Sequence, residues 1–85
     1  MTTWKIDDAW LAELSRKVER ATPGPWTSFV EGRDMTSADS FVKTPKSDIY
    51  LTGATAADQD FIAAARQAIP ILIDEVRRLR STLKE

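Results

Sequence analysis

The sequence predicts an α+β domain: a helix, a three-stranded antiparallel β-meander, then a long C-terminal helix kinked or broken near Pro70, with the helices on one face of the sheet. Three observations predict it. Apolar residues recur at helical spacing over residues 7–21. Residues 26–52 hold short aromatic and β-branched runs cut by turn-forming residues. Helical spacing then returns over residues 55–83. At 85 residues the chain reads as a single domain over residues 1–85. A chain this short buries only roughly 60–65% of its unfolded surface, which leaves a lone monomer marginal.

In the first helix Leu11, Leu14, Val18 and Ala21 are spaced by three and four, and Trp10 widens their face. Asp7 is the expected N-cap, with Ile6 and Leu11 at the spacing of a hydrophobic staple. Lys17 and Arg20 suit the C-terminal end of the helix dipole. The helix stops at "ATPGPW", residues 21–26. Pro23 has no N–H and pushes Thr22 out of the α region. Gly24 offers a cheap positive φ, Pro25 stiffens the exit, and Trp26 is a large apolar anchor. The six residues read as a corner locking helix to sheet, against a binding loop as the alternative.

In the middle, "WTSFV", "SFVKT" and "DIYLT" are the strand runs, with "EGRD" and "TPKSD" between them. The polar stretch "EGRDMTSADS" is long for a hairpin loop, and residues 31–40 are expected to be the most mobile part. Thr55 with Asp58 has the spacing of a capping box, with Asp in place of the usual Glu or Gln.

The C-terminal helix carries a heptad. Ile62, Ala65, Ile69, Leu72, Val76, Leu79 and Leu83 alternate in spacing between three and four. Branched residues mostly at a and leucine mostly at d are the parallel-dimer preference, and Glu75 at g lies five residues before Arg80 at e. The same stripe also suits packing within one chain. Ile71 and Ile73 lie off the seam, however, and a domain this small has difficulty covering a helix that is apolar on more than one side. A homo-oligomer, a dimer or higher, is therefore expected through Ile69, Leu72, Ile73, Val76, Leu79, Arg80 and Leu83.

Composition removes several chemistries. Without cysteine or histidine there is no disulfide, thiolate or imidazole, nor most kinds of zinc site. Twelve basic and thirteen acidic residues give a net charge of −1, and no general attraction to DNA. No apolar run reaches the ~20 residues of a membrane span. The opening "MTTWKIDDAW" has acids where a signal peptide is apolar, so a cytoplasmic location is expected.

Candidate sites are few. "LTGAT" before the long helix resembles an anion-binding start, but it lacks a glycine-rich fingerprint, and Asp58 and Asp60 oppose a phosphate. Arg77, Arg78, Arg80 and Lys84 fall where a helix C-terminus favours cations. Asp34, Asp39 and Asp48 lack calcium-loop spacing. No nucleophile has an evident base, so no catalytic residue, cofactor or metal is expected. Aromatic residues at strands, with basic neighbours, either form core or stack a flat ligand. Trp26, Arg33, Lys43, Lys46 and Tyr50 are the expected contacts to a ligand or partner.

The corner "RATPGPW", followed after a variable region by "DFIAAARQAIPILIDEVRRLR", resembles a family of small phage and prophage proteins, the Ead-like early-region and "ATPGPW" proteins. Ala21–Trp26, Asp60–Ala65 and Pro70–Arg80 carry the resemblance, about half the chain, and residues 27–52 match nothing in that pattern. The resemblance implies a setting and no established activity: a phage accessory protein in the cytoplasm of a bacterial host. The expectation is a non-enzymatic protein acting by binding, in counter-defence, either blocking a host protein or sequestering a signal. The alternatives are an oligomeric sponge for a small cyclic or ADP-ribose-type nucleotide, and a structural assembly protein without a ligand. Neither DNA nor membrane is an expected partner.

Overall fold

The structure, a computed structural model, describes residues 6–34 and 40–83. Asp39, Lys84 and half of the loop expected to be mobile lie outside those residues. The elements are α1 (Asp8–Arg20), β1 (Thr27–Phe29), β2 (Phe41–Lys43), β3 (Asp48–Ile49) and α2 (Ala56–Leu83). The three strands form an antiparallel sheet in the order β1-β2-β3. This is the expected α+β layout.

Both helix starts are capped as the residues indicate. The Asp7 carboxylate accepts the Trp10 N–H at 2.8 Å. At α2, Asp58 N–H donates to Thr55 Oγ1 at 3.0 Å while Thr55 N–H donates to Asp58 Oδ2 at 3.1 Å, a reciprocal capping box. The helix then runs unbroken through Pro70 for 28 residues, about 42 Å at 1.5 Å per residue. Of the two outcomes anticipated at Pro70, a break does not occur.

Pairing sets Thr27 opposite Lys43, Ser28 opposite Val42 and Phe29 opposite Phe41. Across the next strand Val42 faces Ile49 and Lys43 faces Asp48. Side chains alternate across a sheet, so Ser28, Val42 and Ile49 share one face. That face meets α2: Val42 is fully buried, and Gln59 of α2 donates to Ser28 Oγ at 3.0 Å. Among the described residues α2 alone covers the sheet. Against expectation, α1 packs on α2 and makes no packing contact with a strand.

The α1–α2 pairing is antiparallel, since Asp8 at the start of α1 meets Arg80 near the end of α2. Leu11 and Ile73 are buried between them. Among the described residues the buried apolar core is Leu11, Val42, Ala63 and Ile73. The core thus comes in two parts strung along α2, one under the sheet and one under α1, which leaves the molecule elongated at 54 × 33 × 18 Å.

Candidate functional site

The corner at residues 21–26 is a structural joint. Trp26 N–H donates to Gln67 Oε1 at 2.8 Å, and Gln67 Nε2 donates back to the Trp26 carbonyl at 3.1 Å. The Gln67 amide therefore pairs with the Trp26 backbone as a neighbouring strand would. The indole N–H donates to the Thr22 carbonyl at 3.1 Å, and Arg66 Nε reaches the same oxygen at 2.9 Å. The Arg66 guanidinium lies 5.9 Å from the Trp26 ring centre, within cation–π range. Gly24 has no positive φ; the Gly24–Pro25 peptide bond is cis. A Cβ there would lie 3.4 Å from Gln67 Oε1, an ordinary contact, so neither backbone angle nor space demands glycine at position 24. Trp26 is half-buried and committed to this joint.

Arg33 is likewise engaged. Its guanidinium forms a two-pronged pair with Asp60, at 2.7 and 2.9 Å, and its Nε donates to Asp34 at 3.0 Å. The bonded Arg33, with Ser28 beside it, pulls the Asp60 carboxyl down to about 2. Asp34 is also held low, by Arg33 first and then by the Val30 N–H that it accepts. The same bonds push the guanidinium further into its charged form. The joined group closes the β1–β2 connection onto α2.

Lys43, Lys46 and Tyr50 remain exposed. Lys43 and Tyr50 belong to the sheet face that points away from α2. On that face the Phe29 and Phe41 rings stack at 5.3 Å between centres, and Phe41 meets Tyr50 at 5.8 Å. A row of three aromatic rings thus crosses the sheet, with Thr27, Lys43 and Asp48 in the adjacent row of the same face. No helix covers it. Lys46 lies in the turn between β2 and β3. There Thr44 Oγ1 accepts the Lys46 and Ser47 N–H groups at 3.1 and 3.0 Å and donates to the Ser47 carbonyl at 2.7 Å. Beyond Tyr50, an open depression of about 450 Å³ is bounded by Tyr50, Leu51, Gly53, Asp58, Phe61 and Ile62. The five expected contact residues therefore do not converge. Trp26 and Arg33 hold the fold together, and Lys43, Lys46 and Tyr50 face solvent.

The expected oligomer residues also divide. Ile73 is buried against α1, and Arg80 pairs with Asp8 at 2.8 Å. Glu75 pairs with Arg78 of its own helix, which holds the Glu75 carboxyl low. The Glu75–Arg80 bridge expected between two parallel copies thus has both members engaged inside the protomer. Leu72, Leu79 and Leu83 are exposed at 60%, 48% and 85%. Beside them, Ile6, Trp10, Leu14, Ile69, Leu72 and Val76 line an apolar groove of about 530 Å³ between α1 and α2.

Sequence reasoning did not single out Gln59, Arg66 or Gln67. Gln59 is 3% exposed, and its Nε2 also donates to the Phe29 and Phe41 carbonyls, each at 2.9 Å. The available signal was the spacing Gln59–Ala63–Gln67, which sets two amides and a small residue on one helix face. Among the described residues no three acidic side chains converge as a metal site, and no helix is long and apolar enough to cross a membrane. Compared with family models, with curated proteins and with solved structures, the chain shows no match.

Proposed function

We propose that this chain is a non-enzymatic phage-type accessory protein that acts in counter-defence by docking on a host protein through the outer face of its sheet. The observation that carries this reading is the aromatic row Phe29–Phe41–Tyr50, left without a covering helix and flanked by the exposed Lys43. Aromatic side chains are enriched among the residues that anchor protein interfaces. The resemblance of the corner and of the α2 sequence to small phage early-region proteins supplies the setting.

Sequestering a nucleotide signal is less well supported. Of the three cations among the expected contacts, Arg33 is held by two carboxylates. Lys43 and Lys46 remain, and Asp48 stands across from Lys43. Tight phosphate binding asks for several converging donors.

Affinity purification from host cells, comparing the parent with a Tyr50→Ala, Lys43→Glu double variant, tests the reading. The parent should recover a host protein that the folded variant loses. A panel of cyclic and ADP-ribose-type nucleotides should leave the melting temperature unchanged. A ligand at one hundred times its Kd would stabilise by about 2.7 kcal/mol, so a clear shift would assign signal sequestration instead.

A further inference from the structure

We propose that the uncovered apolar edge of α2 is a self-association surface, and that a second copy of this chain pairs with it antiparallel about Leu72. The inference does not depend on what the sheet face binds. At 3.6 residues per turn, Phe61, Ala65, Ala68, Leu72, Leu79 and Leu83 fall within about 60° of arc on α2, and no charged residue between positions 61 and 83 enters that arc. The strip is about 33 Å long. The sheet packs on another face of α2, through Gln59, and α1 packs on the adjacent face, through Ile73 and Arg80, with Leu72 and Val76 at the lip of the groove beside α1. Phe61 at 72%, Leu72 at 60% and Leu83 at 85% exposure are left in water.

The extent of the strip fits one more chain. Its four large side chains, Phe61, Leu72, Leu79 and Leu83, are each about half exposed or more, and along a face of that length they offer area on the order of the ~800 Å² that each partner contributes to a standard interface.

The strip is also complementary to itself in one orientation. In an antiparallel pair centred on Leu72, Phe61 lies level with Leu83 of the copy, Ala65 with Leu79, and Ala68 with Val76, while Leu72 meets its own copy. Each alanine is set against a larger side chain, the large-to-small alternation that fills a helix interface. A parallel pair would set alanine on alanine twice and leave gaps. It would also lack its charged bridge, because Glu75 and Arg80 are engaged within the protomer. The antiparallel arrangement has a twofold axis and closes at two copies.

The test uses the full chain. Multi-angle light scattering over a dilution series should give the mass of two chains, falling to one on dilution. Leu72→Glu sets two carboxylates against each other at the axis and should raise the dissociation constant about a hundredfold or more, with the circular dichroism spectrum unchanged. Ile71→Glu, at a residue 66% exposed but outside the arc, should leave the dimer intact. The chain has no cysteine, so Phe61→Cys and Leu83→Cys copies can be mixed under mild oxidation. They should cross-link to each other, and neither should cross-link to itself. That measurement requires no disruptive variant to fold. A monomer at every concentration, or a Leu83→Cys copy cross-linking to its own kind, would overturn the proposal.

Discussion

Gln67 grips Trp26 through both sides of one amide, accepting the Trp26 N–H at 2.8 Å and donating to the Trp26 carbonyl at 3.1 Å. The two residues are 41 positions apart, so this pair fixes the end of α1 and the start of the sheet onto the middle of α2. Gln67→Glu keeps the acceptor and loses the donor, while Gln67→Ala loses both. A neutral hydrogen bond contributes about 0.5–1.5 kcal/mol. Urea denaturation should therefore show Gln67→Ala less stable by about 1–3 kcal/mol. Trp26→Ala, which also removes a half-buried indole and its contact with Arg66, should cost more, about 2–4 kcal/mol. A Trp26→Ala protein as stable as the parent would contradict the role of the corner as a joint.

Gln59 serves the sheet as Gln67 serves the corner. It is buried, and its Nε2 lies within 3.0 Å of Ser28 Oγ and of the Phe29 and Phe41 carbonyls. The Phe29 and Phe41 carbonyls can only accept, so a carboxylate there would be repelled by both, with the Ser28 hydroxyl as its one available donor. Gln59→Leu should destabilise by about 2–4 kcal/mol, because buried carbonyls lose their partner. Gln59→Glu should be worse at neutral pH and recover in part in acid, as the carboxylate takes up a proton. Denaturation midpoints of the two variants at neutral and acid pH provide the check. Equal effects of pH on both would refute the assignment.

The two clamps show where the sequence was legible and where it was not. Capping is local: Asp7 and the Thr55–Asp58 pair act on backbone three residues away, so their spacing along the chain carries the information. The strand runs and the heptad stripe are periodic and were readable for the same reason. Gln59 and Gln67 act on backbone 18 to 41 residues away, and in sequence they look like the solvated face of a helix. Arg33 looks like a free cation until Asp60, 27 residues on, is brought against it. The heptad identified an apolar stripe but not which edge α1 would take. α1 took the edge marked by Ile73 and Arg80 and left Leu72 and Leu79 exposed.

Thr44 organises the β2–β3 turn with one hydroxyl that accepts two N–H groups and donates to the Ser47 carbonyl. It is 6% exposed. Thr44→Val keeps the shape and the β-branched packing but orphans those groups, and should cost about 1–2 kcal/mol. Thr44→Ser should retain most of the stability, since the hydroxyl remains. Thermal melts of the pair separate hydrogen bonding from packing. If serine is as damaging as valine, the methyl group and not the hydroxyl holds the turn.

The Arg33–Asp60 pair predicts an acid response of defined sign. The Asp60 carboxyl is held at about 2, below its ordinary 3.8, so the folded protein binds fewer protons than the unfolded chain between those values. Stability from this group is then fully present above the unfolded value and is lost as pH falls through the folded one. Asp34, lowered by the same guanidinium, adds to the trend in the same direction. Both partners of the pair are about half exposed, so salt should weaken the effect at every pH. A double-mutant cycle with Arg33→Gln and Asp60→Asn isolates the pair from the other carboxylates that titrate in that range. The coupling should be favourable at neutral pH, smaller in high salt, and absent once the pH is below the folded value of Asp60. A coupling that persists undiminished at that acidity would show that the contact is held by neutral hydrogen bonds and not by charge.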